Sequence, residues 1–198
     1  DFEDGTDQGW LAGRASEDEG LLPRVKNENG NKYLEVSAFA ETYASRGRGA
    51  NRRIAFFNDS DDWVGDYSNI DKISAKVKAT SSTESALYLR LNFIGNDGAF
   101  YSSENAFELA TDSTWQTFTA TLNWEEFFVQ TNSRNAWDGS GYVASEEQQF
   151  ADAITHIDEF KFVSNQAYPQ WNDVDVVEAV LAVDDIMASA DVSAVPVP

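Results

Sequence analysis

Leu87, Leu89, Leu91 and Phe93 alternate without interruption with Tyr88, Arg90, Asn92 and Ile94. Successive side chains of an extended strand point to opposite faces, so this stretch reads as a strand with one buried face. Ile73, Ala75, Val77 and Ala79 alternate with Ser74, Lys76 and Lys78 in the same way. Leu34, Val36 and Ala38 share a face, as do Phe118, Ala120 and Leu122. Further strands are predicted at residues 21–28, 52–58, 100–102, 106–109, 157–163 and 180–187, with a short strand and turn at 1–10. Asn29-Gly30-Asn31 and Asn96-Asp97-Gly98 are turn signals, because Asn and Gly tolerate positive φ. Helical character is confined to a turn at 124–129 and a segment at 146–154, while 11–20, 130–145 and 164–178 read as loops. Short strands with turn signals and little helix predict an all-β fold: an antiparallel β-sandwich, a jelly roll, with short helical turns. The domain is expected to span 1–188, with 189–198 a linker or tail.

Composition narrows the function. The 198 residues suffice for one domain with a proper core. A formal net charge of −20 argues against nucleic acid and anionic membranes; it either suits a salty or calcium-rich medium or simply serves solubility, and a monomer is expected. There is no cysteine, hence no disulfide, thiolate site or cysteine nucleophile. No apolar run approaches the roughly 20 residues of a membrane span, so no direct membrane insertion of this segment is expected. The first residue is not Met, and the chain reads as a mature or trimmed product.

The two ends carry carboxylates beside apolar anchors: Glu3 and Asp4 follow Phe2, and Asp184 and Asp185 follow Val183. Neither stretch contains Lys or Arg. A buried carboxylate needs a partner, and a calcium ion shared by the first and last strands would supply one. Asp59, Asp61, Asp62 and Asp66 form a second acidic cluster, either a solvated loop or a weak cation site. The single histidine, His156, establishes neither a Ser-His-Asp triad nor a multi-histidine metal site and is expected to be structural. Asp173, Asp175 and Glu178 have the spacing of a glycosidase signature, but the leading Asp has a shorter arm than Glu; a solvated loop or a second cation site is expected there. Arg46, Arg48, Arg52 and Arg53 either pair with acidic loops or recognise an anionic glycan. Trp63, Tyr67, Tyr88, Tyr101, Trp137, Tyr142, Tyr168 and Trp171 lie outside the core alternation, where they either pack their own loops or stack sugar rings.

The opening Phe2-Glu3-Asp4-Gly5-Thr6, with Gly9-Trp10, Gly30-Asn31-Lys32-Tyr33-Leu34-Glu35-Val36 and Val183-Asp184-Asp185-Ile186, resembles the calcium-containing jelly-roll carbohydrate-binding modules. That resemblance implies a structural Ca2+ held by the side chains of Glu3 and of Asp184 or Asp185. Carbonyls of Gly5 and of Asn31 or Lys32 would complete the shell. Phe56-Phe57-Asn58, Trp63-Val64-Gly65-Asp66-Tyr67 and Ile73-Ser74-Ala75-Lys76-Val77 resemble the laminin-B-type sandwich of bacterial surface proteins. Ala194-Val195-Pro196-Val197-Pro198 resembles the start of a PEP-CTERM sorting signal, which implies export to the surface of a Gram-negative bacterium.

The expected function is a non-catalytic extracellular carbohydrate-binding or surface-matrix module, stabilised by calcium, whose partner is a polysaccharide, neutral or anionic. Ligand contacts are expected from Trp63, Tyr67, Tyr88, Arg90, Trp137, Tyr142, Trp171, Arg46 and Arg48. Two alternatives stand beside it. One is a polysaccharide lyase or glycoside hydrolase of the same fold, with Tyr88, Arg90 and Asn92 as the nearest candidates. The other is a structural cell-surface protein without a glycan ligand.

Overall fold

A computed structural model of the chain describes residues 1–12, 23–38, 54–130, 142–166 and 177–190. The described strands are β1 (Leu11–Ala12), β2 (Arg24–Glu28), β3 (Asn31–Ala38), β4 (Ala55–Asn58), β5 (Lys72–Ser81), β6 (Ala86–Gly95), β7 (Phe100–Ser103), β8 (Phe107–Ala110), β9 (Gln116–Thr121), β10 (Phe127–Gln130), β11 (Tyr142–Ala144), β12 (Ile157–Ser164) and β13 (Ala179–Ser189). One helix, α1 (Glu147–Ile154), and a 3-10 turn at Trp124–Glu126 accompany them. Among the described residues no helix is long and apolar enough to cross a membrane.

The strands form two sheets. The first is eight-stranded, in the order β1-β4-β12-β6-β7-β10-β11, with β8 also pairing β6. The second runs β2-β3-β13-β5-β9. The pairings are antiparallel, and strands remote in sequence lie side by side: β12 between β4 and β6, β13 between β3 and β5. This is the antiparallel jelly-roll sandwich that the alternation predicts.

Between the sheets lies an aromatic core. Phe56 and Phe162 stack at 5.0 Å with planes 8° apart, and Trp10 packs against both. Phe93 and Tyr101 stack at 4.7 Å and 7°, flanked by Phe127, Phe150 and Phe160. Each fully buried ring removes enough apolar surface from water to contribute about 1.5–3 kcal/mol.

Four local expectations are corrected. The stretch 11–20, read as loop, opens with strand β1, whose Leu11 and Ala12 pair with Phe57 and Phe56 of β4. Residues 1–10 contain no strand: Phe2 O accepts from Gly5 N at 2.9 Å and Asp7 O from Trp10 N at 3.0 Å, so two tight turns bury Phe2 and Trp10 without a ladder. The segment at 124–129 is helical only for Trp124–Glu126; Phe127 and Val129 then alternate inward as β10. Part of the predicted loop at 130–145 is strand β11, paired to β10 through Phe128↔Ala144, Val129↔Val143 and Gln130↔Tyr142. The Asn29-Gly30 turn is as predicted, with φ of 56° and 96°. These are the values a two-residue hairpin needs at both central positions.

Helix α1 seats on the end of β6 through Phe150 and Ala153. The seat depends on Gly95: a Cβ there would lie 2.7 Å from the Ala153 Cβ. Gly95→Ala is therefore expected to push the helix outward and to destabilise the fold by about 1–3 kcal/mol in urea unfolding. An unchanged unfolding midpoint would show that the helix seat is not tight.

Candidate functional site

Inward residues of the first sheet are mostly apolar, so parity defines the outward face by what remains. Register carries Phe57 of β4, Lys161 of β12, Asn92 of β6, Ser102 of β7 and Phe128 of β10 into one line across the sheet. Beside it run Glu159, Ile94 and Phe100. The three phenylalanines are half-buried. The Lys161 ammonium lies 5.4 Å from the Phe57 ring centroid and 5.5 Å from that of Phe100, and it is ion-paired with Glu159. Asn92 is 4% exposed, and its Oδ1 has no hydrogen-bond partner among the described residues. The face thus combines flat apolar rings, an amide with a spare acceptor and a neutralised charge pair. That chemistry suits a ligand with both apolar ring faces and hydroxyls. At one end of β6 a pocket of about 210 Å3 opens beside Tyr88, lined also by Glu84, Ser164, Asn165 and Gln166.

Two residues expected at a ligand surface are placed elsewhere. Arg90 is 4% exposed, and its guanidinium donates to the carbonyls of Asn165 at 3.0 Å, Ser103 at 2.7 Å, Gln166 at 3.2 Å and also Glu104. A planar fork with five donors gathers four carbonyls from two chain segments, which a lysine cannot reproduce. It faces main chain rather than a glycan or a substrate. Tyr67 is buried, packed edge-on against Phe160 at 4.6 Å, and its hydroxyl donates to Trp63 O at 3.0 Å. Burial pushes the Tyr67 phenol up to about 12 from its ordinary 10. Tyr101, expected outside the core, is fully buried against Phe93; burial, then the neighbouring Asp97 charge, pushes its phenol up as well. Trp63 is half-buried with its ring 5.3 Å from Trp10, so it closes one end of the core.

Among the residues assigned to a metal, one set of contacts joins Lys32 to Glu3 and another joins Asn31 to Asp184. Lys32 N donates to Glu3 Oε1 at 2.9 Å, and the Lys32 ammonium meets the Glu3 carbonyl and lies beside Gly5. Asn31 Nδ2 donates to Asp184 Oδ2 at 3.0 Å, and Asp184 Oδ1 accepts the Asp185 N–H at 2.8 Å. Asp184 is 5% exposed and has no ion pair among the described residues. Lys76, opposite it in register, turns its ammonium to Thr117 instead. Asp185 is exposed, with φ of 47° in a β-bulge. Among the described residues no three acidic or histidine side chains form a metal cluster, and this covers Asp59, Asp61, Asp62 and Asp66. Asp66 instead caps Ser68, whose hydroxyl and N–H hold its carboxyl below the usual range. His156 is exposed and pairs with Asp158 at 3.3 Å.

Arg46, Arg48, Trp137, Trp171 and the stretch 173–176 lie outside the described residues; Tyr142 is described only as the first residue of β11. The outward-facing rings missed from sequence are Phe57, Phe100 and Phe128. Strand parity was the available signal: each is two residues from, or adjacent to, a residue whose face is fixed. A phenylalanine is assigned to the core by default, and that habit hid them.

No protein-family profile matches the chain. No curated protein matches it. Solved structures do. A family 28 carbohydrate-binding module specific for non-crystalline cellulose aligns at TM-score 0.55 and 15% identity, over 96% of this chain and 92% of that one. A family 11 module from Clostridium thermocellum, in complex with a β-1,3-1,4-mixed-linked tetrasaccharide, aligns at TM-score 0.53 and 14% identity, over 96% and 93%. An exo-β-agarase aligns at TM-score 0.56 and 11% identity, over 96% of this chain but only 25% of the enzyme. At these identities the likeness is one of fold: the chain has the jelly roll seen in carbohydrate-binding modules.

Two stability measurements test the buried polar groups. Arg90→Met leaves carbonyls buried without donors and is expected to cost at least about 3 kcal/mol, with Arg90→Lys recovering only part of it. For Tyr67 the folded state favours the neutral phenol, so its contribution is fully present below pH 10 and is lost as pH rises through about 12. Alkaline unfolding followed over that window should be less steep in Tyr67→Phe.

Proposed function

We propose that this domain is a non-catalytic carbohydrate-binding module that holds a polysaccharide on the outward face of the eight-stranded sheet. The observation that carries the reading is the line Phe57, Lys161, Asn92, Ser102 and Phe128, in which two half-buried rings flank a lysine and two nearly buried hydrogen-bonding side chains. Sugar rings present apolar C–H faces to aromatic planes and hydroxyls to amides. The Glu159–Lys161 pair leaves the line without net charge, which favours a neutral glycan. The fold shared with modules named for cellulose and mixed-linked glucan supports β-linked glucans as the first probes. A module of this kind works outside the cell, so secretion or cell-surface display belongs to the proposal.

A structural calcium ion is the second part of the proposal. The observation that supports it is Asp184, a carboxylate almost fully withdrawn from water that has no cationic partner among the described residues. Glu3 and Asp184 side chains, with carbonyls of Gly5 and of Asn31 or Lys32, would hold the ion. Burial favours Asp184 over the exposed Asp185. Bound there, calcium would supply the positive charge that the buried carboxylate lacks.

Affinity electrophoresis through gels carrying β-glucan, xylan or an anionic polysaccharide tests the first part. Retardation by a neutral polymer is expected, reduced roughly two- to tenfold in apparent affinity by Phe128→Ala or Asn92→Ala. Retardation by none of these polymers would return the domain to a structural role at the cell surface. For the ion, chelation is expected to lower the melting temperature by about 5–10 °C if the ion stands at 100 times its Kd. Asp184→Asn should abolish that sensitivity. A melt indifferent to chelator would remove calcium from the account.

A further inference from the structure

A second concavity lies away from the outward face, where the two sheets part. Strand β8 belongs to the first sheet through its pairing with β6, and β9 to the second through β5. Between them a cavity of about 220 Å3 opens at the seam of the sandwich. Its apolar wall is Phe107, half-buried and packed edge-on against Phe118 at 5.7 Å. Its polar lining comes from Asn105, Thr119, Thr121 and Glu126. Asn105 Nδ2 reaches Glu126 Oε2 only at 3.5 Å, the weak limit of a hydrogen bond, so either group is readily redirected.

The main chain adds further partners. Strand β9 pairs only with β5 among the described residues, so one edge is unpaired there. Leu122 N donates to Asp71 O, so by antiparallel alternation Ala120 and Phe118 also bond inward to β5. Thr119 and Thr121 then turn their N–H and C=O groups to the free edge, which is the side that lines the cavity. An apolar guest would leave these groups unsatisfied. A guest with one apolar face and several hydroxyls would not.

We infer that this seam is a second carbohydrate site, taking a single neutral sugar ring. The ring's apolar face lies on Phe107, and its hydroxyls pair with the Thr119 and Thr121 main chain and with Asn105 and Glu126. Size sets the limit to one ring, because the volume falls below the roughly 300–1,000 Å3 of sites that enclose drug-sized ligands. Charge sets the class. The Glu126 carboxylate has no ion pair among the described residues and repels a uronic acid. The site is independent of the outward face, so either may stand without the other.

Titration of the isotope-labelled 198-residue chain with methyl β-glucoside and methyl β-xyloside, followed by amide NMR, tests the inference. Shifts are expected at Ala106, Thr119, Thr121 and Glu126. They should persist in Phe128→Ala, which addresses the outward face alone. They should weaken about tenfold in Glu126→Ala, an exposed position whose change leaves the core intact, and in Phe107→Ala. The corresponding glucuronide should bind at least about tenfold more weakly than the glucoside. Absence of shifts at the seam with both glycosides, shifts confined to the outward face, or shifts indifferent to Glu126→Ala would each overturn it.

Discussion

Parity along β6 is the constraint on which the rest of the molecule depends. Leu87, Leu89, Leu91 and Phe93 must all enter the core, and they hold the aromatic rings brought in by β4, β7, β10 and β12. Once they do, Tyr88, Arg90, Asn92 and Ile94 have no choice of side. The outward face is therefore the complement of the core. Its rings sit where they do because neighbouring strands are locked in register to β6. Arg90 shows how strict the rule is. It is a charged side chain forced outward at a position that neighbouring chain covers, and it survives burial by donating to four carbonyls. The same contacts join the end of β12 to the connection after β7.

Much of the architecture was legible. The alternation of β3, β5, β6 and β9 identifies the core strands residue by residue, and the turn chemistry at Asn29-Gly30 places a hairpin. What failed was structure lacking a periodic signal. The first ten residues are built of turns, and their hydrogen bonds come from Asp4, Asp7 and backbone groups rather than from a ladder. Strands β10 and β11 are too short for alternation to declare itself, and β10 starts directly after a 3-10 turn.

The residues of the outward face were less legible for a different reason. Tyrosine and tryptophan look amphipathic in a sequence, yet Tyr67 and Tyr101 are core residues whose hydroxyls find partners inside. Phenylalanine looks like core, yet Phe57, Phe100 and Phe128 lie on the outward face. Residue type misled where parity would have decided. The carboxylates at the chain ends stand out for another reason, because unpaired carboxylates beside apolar anchors need explanation wherever they occur. Lys32 contacts Glu3 and Asn31 contacts Asp184, so both ends of the chain meet the start of β3.

The bulge in β13 has a wider consequence. Val183 and Ile186 are both in the core although an odd number of steps separates them, because Asp185 and Ile186 together oppose the single residue Ala75. The left-handed turn at Asp185 absorbs the extra residue. A uniform strand would have sent Ile186 to solvent and drawn Met187 into the sandwich. The last strand thus has two reading frames, joined at one aspartate. A one-residue deletion at the joint would merge them and exchange the faces of everything that follows, whereas substitutions on either side leave the frames intact.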